Sequence, residues 1–330
     1  MNGLYSRKRR KRVRRFVDGK QFRPIIHGKR KRRGAKRRIV WRRFLPALFC
    51  LALSFVGAGR LIGYLADSKA TERANAELQA AYAATMETMT EATFVPNETE
   101  APIATVTPAP TPRPGLLSEY QTIGASMLPE MSKLYAKNDD LIGWVKIPGV
   151  VDLPVVYRDN SYYLTHDFNG KRSNAGALFL DEKHPLTAKT QYLVIHGHNM
   201  HDGSMFGLLG HYRKISYIRE HGIVSFSTLY REEQYVVFSV NIVPADVNAA
   251  GYIAYTGTPA FRTITQFDAF IERLRASSLY SIPIDVASSD ALLTLSTCLD
   301  DERIILVCRR LRDDETAEMM LRLLAQSSKR

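Results

Sequence analysis

Hydrophobic positions along the 330 residues fall into three regimes. Between Phe44 and Gly59 lie sixteen residues without a charge; Arg60 interrupts, and Leu61–Ala66 continues the apolar run. As helix, sixteen residues cover about 24 Å, short of a hydrocarbon layer of roughly 30 Å. All of 44–66 covers about 34 Å, provided Arg60 snorkels towards the nearer interface. One membrane-spanning helix is predicted.

From Leu116 onward the period changes. Short apolar or alternating runs recur at Ile142–Ile147, Leu153–Tyr157, Ala177–Leu180, Gln191–His196, Gly222–Ser227, Gln234–Val243, Ala291–Thr297 and Arg303–Cys308. Eight such runs with turn residues between them predict a mainly β domain, closed or sandwich-like. Helical spacing is confined to three places. Leu116–Ala136 opens the domain and Asp314–Leu324 closes the chain. Between them, Thr265–Leu279 is preceded by Ile264 and brings Phe267, Phe270, Ile271 and Leu274 to one face, with Thr265 and Asp268 set as a capping box.

The middle regime, 67–115, has neither pattern throughout. Ala and Glu from Asp67 to about Met89 suit a continuing helix, whereas the prolines of 91–115 remove backbone donors and leave too little apolar surface to fold. The expected organisation is therefore a basic tail (1–43), a transmembrane signal-anchor (44–66), a helix/Pro-Thr stalk (67–115) and a 116–330 domain.

Charge sharpens this picture. The formal net charge is +13, but residues 1–43 alone hold 20 Lys/Arg against Asp18, a balance of +19, while 44–115 and 116–330 each stand at −3. A folded domain gripping nucleic acid across its own surface is excluded by that split; no nucleic-acid partner is expected, and binding of RNA or DNA by the tail is the alternative to its lipid reading. Cations on the N-terminal side hold it in the cytoplasm, which predicts a single-pass type II protein with its domain outside the cell membrane. Membrane lipids with anionic headgroups are the expected partner of the tail. No small-x-small cleavage site follows the span cleanly, so the anchor is expected to be retained.

Two clusters carry candidate chemistry. The first is Val194-Ile195-His196-Gly197-His198-Asn199-Met200-His201, an apolar strand ending in histidines. Its His-x-His-x-x-His spacing is similar to a hydrolytic zinc signature, but Met200 stands where that signature needs an acid, and a thioether is a poor ligand for such a zinc. The second runs from Leu293-Thr294-Leu295-Ser296-Thr297-Cys298 through Leu299–Glu302 to Arg303–Cys308 and reads as a hairpin. In that register Cys298 faces Arg303, and Ser296 shares the face of Cys298. A neighbouring cation favours the thiolate, the form that attacks carbonyls. Cys308 pairs near Leu293, roughly 16 Å along the strand from Cys298, too far for a disulfide. A buried structural Cys298 is the opposing reading. An unpaired thiol on an outward-facing protein is an oxidation liability, and this favours catalysis over structure.

These residues together resemble the sortases, membrane-anchored cysteine transpeptidases of Gram-positive bacteria, and within them class B. The Thr294–Cys298 run is similar to the family's nucleophile motif, Gly197–Met200 to its histidine motif, and Arg303 to its arginine. Asp159–Leu164, Gly176–Asp181 and the helix at Thr265–Leu279 also resemble class B, which often has Tyr where this chain has His196. The resemblance implies a closed eight-stranded β-barrel with peripheral helices. It implies that Cys298 forms a thioester with a Thr carbonyl of a C-terminal sorting signal, Arg303 holds the oxyanion, and His198 moves the proton. Asn160, Leu164, His196 and Ser296 would line the peptide groove. The implied partners are surface proteins bearing the signal and an amine acceptor from peptidoglycan precursor or a pilin lysine; no cofactor or metal is expected. A plain cysteine peptidase and a non-enzymatic stalked surface domain remain the alternatives.

Overall fold

A computed structural model describes residues 45–92, 126–187, 190–257 and 260–330. The expected basic tail, the Pro-Thr segment and the first part of the helix anticipated at 116–136 lie outside these residues. The chain divides into two compact units at Val56/Gly57. The described part of the first unit is helical and exposed throughout. It belongs to α1 (Leu45–Ala92), among the described residues the one helix long and apolar enough to cross a membrane.

The second unit is built on eight strands: β1 (Leu141–Ile147), β2 (Val151–Val156), β3 (Leu178–Leu180), β4 (Tyr192–His196), β5 (Ile223–Thr228), β6 (Glu232–Pro244), and, after a short β7 (Tyr280–Ser281), β8 (Leu292–Leu299) and β9 (Glu302–Arg310). Their order is β1-β2-β3-β4-β8-β9-β6-β5, and β5 pairs back onto β1 to close the barrel. Pairing is antiparallel except for β2 with β3 and β4 with β8. Closure leaves no open edge among these strands. β7 pairs instead with a two-residue β10 (Ser328–Lys329) outside the barrel.

Branched and aromatic residues fill the interior, among them Val145, Val155, Val194, Phe226, Val240, Leu295 and Leu306, all fully buried. The short α2 (Pro129–Tyr135), α3 (Ile215–His221), α4 (Ile264–Ser277) and α5 (Ala317–Leu324) lie around it. Three helix starts differ from the sequence reading. α2 begins at Pro129, because proline is suited to the first helical position and pushes Leu128 before it into extended backbone, ψ 131°. α4 is capped by Thr263, whose hydroxyl accepts from the Gln266 amide at 3.2 Å, while the Gln266 carboxamide accepts from the Arg262 amide. The capping box expected at Thr265 and Asp268 is thus displaced towards the N-terminus. Thr316 caps α5 in the same manner, so that helix starts later than Asp314.

Beyond its apolar run, α1 packs on the barrel. Thr71, Leu78, Tyr82 and Thr85 are buried along it, at spacings of 7, 4 and 3 that place them on one helical face. Tyr82 stacks on Trp144 of β1, ring centroids 4.3 Å apart, and Gln79 donates to the Asp152 carbonyl of β2. The helical first half of the anticipated stalk is therefore docked rather than free.

Candidate active site

Parallel pairing brings two distant segments to one place. β4 and β8 run side by side with His196 beside Ser296, and the Gly197 amide donates to the Ser296 carbonyl at 3.2 Å. Two residues further along each chain stand His198 and Cys298. Gly197 is required at the crossing: a Cβ there would meet the Leu178 side chain at 2.4 Å and the Phe206 ring at 2.8 Å.

β8 and β9 form the expected hairpin, with Cys298 paired to Arg303 and Cys308 to Leu293. The turn is tighter than the four loop residues anticipated, since Leu299 and Glu302 already pair. Asp300 takes a positive φ of 52° to close it. Cys298 is exposed, and the Arg303 Nη1 donates to its Sγ at 3.5 Å. Asp300, Asp301 and Glu302 are exposed, which keeps their charges in solvent. Cys308 is sealed in the core, and burial pushes its thiol far above the ordinary range.

The His198 Nε2–H donates to the Leu164 carbonyl at 2.8 Å, because a carbonyl can only accept. With Nε2 carrying the hydrogen of that bond, Nδ1 is the ring nitrogen left to exchange a proton. Leu164 ends a turn of 3-10 helix, Tyr162–Leu164, and so contributes its backbone as well as the side chain anticipated for the groove. The next loop returns through Gly176, where φ is +61° and a Cβ would lie 2.2 Å from the Tyr163 carbonyl. Only glycine fits.

His196 engages a residue to which the sequence reading gave no role. Its Nε2 lies 3.1 Å from Asp181 Oδ2, which also accepts from Asn160 Nδ2 at 3.1 Å. Asn160 in turn accepts from the Glu182 amide. Burial alone would raise the Asp181 carboxyl, but hydrogen bonds from His196 and the Lys183 amide, with the nearby imidazoles, hold it below the ordinary carboxylate range. Ser296 Oγ is 2.9 Å from the hydroxyl of Tyr255, a buried residue from the β6–α4 connection. Burial pushes that phenol up, against the lowering effects of the Ser296 bond and the Arg303 charge.

All seven residues singled out from the sequence, Asn160, Leu164, His196, His198, Ser296, Cys298 and Arg303, line one cavity of 440 Å³. Phe179, Asp181, Val247, Tyr252 and Tyr255 complete much of its wall. Asp181 and Phe179 were legible as parts of a motif. The β6–α4 residues carry no spacing signal and reach the cavity because β6 pairs with β9 up to Pro244 beside Glu302 and the Ala245 amide bonds the Asp301 carbonyl. The arrangement gathers an exposed thiol, a guanidinium beside it and an imidazole around one open groove.

Residues 145–311 match the family model of the sortase domain. Sortase B of Listeria monocytogenes is 29% identical over 171 residues, 51% of this chain and 67% of that protein. Sortase B of Staphylococcus aureus is 28% identical over 201 residues, 59% of this chain and 78% of that one. In fold, the crystal structure of sortase B from Bacillus anthracis aligns with a TM-score of 0.57 at 23% identity, over 75% of this chain and 99% of that one.

Proposed function

From its membership of the sortase family, class B, we propose that this chain joins a surface protein to a cell-envelope amine by two acyl transfers through Cys298. The supporting observation is the exposed Cys298 thiol with Arg303 at 3.5 Å, in the cavity that His198 also lines. His198 takes the thiol proton, and the sulfur attacks the carbonyl carbon of a Thr in a C-terminal sorting signal. The new C–S bond gives a tetrahedral oxyanion, and the Arg303 guanidinium stabilises it by charged hydrogen bonds. Collapse breaks the scissile C–N bond, and the leaving amine takes a proton from the His198 imidazolium. In the second half, an incoming amine attacks the thioester, gives a proton to His198, and releases the sulfur as thiolate.

Asn160, Leu164, His196 and Ser296 hold the peptide in this reading. The acceptor is an amine of a peptidoglycan precursor or of a pilin lysine. α1 anchors the enzyme as a single-pass type II protein, its barrel outside and its basic tail against the inner lipid headgroups.

A peptide-library cleavage assay with and without an added amine tests the proposal. Turnover that needs the amine, yields a ligated product and vanishes in Cys298→Ala supports it. Amine-independent hydrolysis points to a peptidase, and turnover surviving in Cys298→Ala refutes the nucleophile.

A further inference from the structure

One turn of α1 touches both loops that carry the site. Asp67 Oδ2 accepts from the Asn174 amide at 3.2 Å and from its side chain at 2.8 Å. Thr71 Oγ1 lies 3.4 Å from Ser173 Oγ. Ser173 is tied back by its amide to the Thr165 carbonyl, immediately after Leu164. On the other side, the Ser68 hydroxyl donates to Asp202 Oδ2 at 2.5 Å, and Asp202 Oδ1 accepts from the Ser204 amide and hydroxyl. That loop is closed at its base by the Phe206 amide on the His198 carbonyl and by pairing of Asn199 with Met205.

The two loops are thus bridged twice. At the cavity the bridge is His198 Nε2–H to the Leu164 carbonyl; at the far end it is Asp67, Ser68 and Thr71, residues i, i+1 and i+4 of a single helix. The second bridge lies on helix held independently by the Tyr82–Trp144 stack and the buried Leu78. A docked helix tied to both gives the loops a shared reference, in addition to the core packing of Tyr163 and Phe206 that seats each one separately. We infer that Asp67 and Ser68 are positioning residues for His198: they set the spacing of the two loops, and through it the His198–Leu164 bond that fixes the ring's orientation and tautomer.

This rests on the proposed role of His198, and the test separates the two. The full chain in lipid nanodiscs is assayed for amine-dependent ligation of a peptide selected by the cleavage assay. The double variant Asp67→Ala/Ser68→Ala is expected to lose about tenfold in kcat with a smaller change in KM, because the proton carrier loses its alignment while His196, Ser296 and Arg303 stay on the barrel strands. Asp67→Asn/Ser68→Thr keeps both an acceptor and a hydroxyl and is expected to restore kcat. Nitrogen NMR of the His198 ring should show Nε2–H dominant in the wild type and a mixture of tautomers in the double Ala variant. Wild-type kcat and an unchanged ring spectrum in the double Ala variant, with His198→Ala inactive, overturn the inference alone. Full activity in His198→Ala overturns the functional reading beneath it.

Discussion

Cys298 and Cys308 lie on adjacent strands of one hairpin, and their surroundings differ in every respect that governs thiol chemistry. Cys308 is buried, so its charged form is unfavourable and its thiol stays protonated. Cys298 is open to solvent, with the Arg303 guanidinium 3.5 Å from its sulfur. Arg303→Lys keeps the charge but removes the planar fork of donors; kcat is expected to fall about a hundredfold with a smaller change in KM, measured by peptide ligation kinetics. Asp181 gives a residue-scale pH dependence. A carboxyl held below its unfolded value stabilises the fold fully above the ordinary carboxylate range, and that contribution is lost as pH falls through the depressed value. Melting followed from pH 7 downward should therefore show a loss beginning near about pH 4, shallower in Asp181→Asn, where the carboxamide does not titrate.

At the scale of elements, the β8–β9 hairpin matters most, because its turn sets the register that pairs Cys298 with Arg303. Asp300 sits at φ 52°, a region short polar residues tolerate and branched ones do not. Asp300→Val is expected to cost about 1–2 kcal/mol in denaturant unfolding, and Asp300→Gly to leave stability equal or slightly raised. The same strain relief accounts for a two-residue turn in a sequence whose four polar-leaning residues, Leu299–Glu302, suggested a longer loop. The helix ends teach a related lesson. Thr263 and Thr265 are both plausible caps by type, and the choice falls to Thr263 because its extended backbone aims the hydroxyl at the Gln266 amide.

Across the whole molecule, the helix that begins as an apolar run continues as part of the barrel unit. Within that unit, Asp67, the residue after Ala66, already bonds Asn174. Tyr82 anchors this docking: it stacks on Trp144, bonds Ser227, and its phenol is pushed by burial up to about 12. Tyr82→Ala removes the stack and opens a cavity, an expected loss of about 2–3 kcal/mol. Limited proteolysis should then cut within 67–92 at a rate well above that of wild type. An unchanged cleavage rate would mean the helix is held by other contacts.

Local chemistry explains why so much was readable in advance. Strand alternation, the hairpin register and the opposition of Cys298 and Arg303 depend on neighbours within about ten residues, so the chain order itself carries them. The apolar span is likewise a matter of length and composition. Closure of the barrel, the placement of His198 and Cys298, a hundred residues apart, on one cavity, and the arrival of Asp181 and Tyr255 in the same wall rest on long-range pairing. So does the burial of Thr71, Leu78, Tyr82 and Thr85, whose spacing is visible only once the barrel face they meet is known. Such contacts depend on which surfaces a folded chain brings together, and linear spacing holds no record of that.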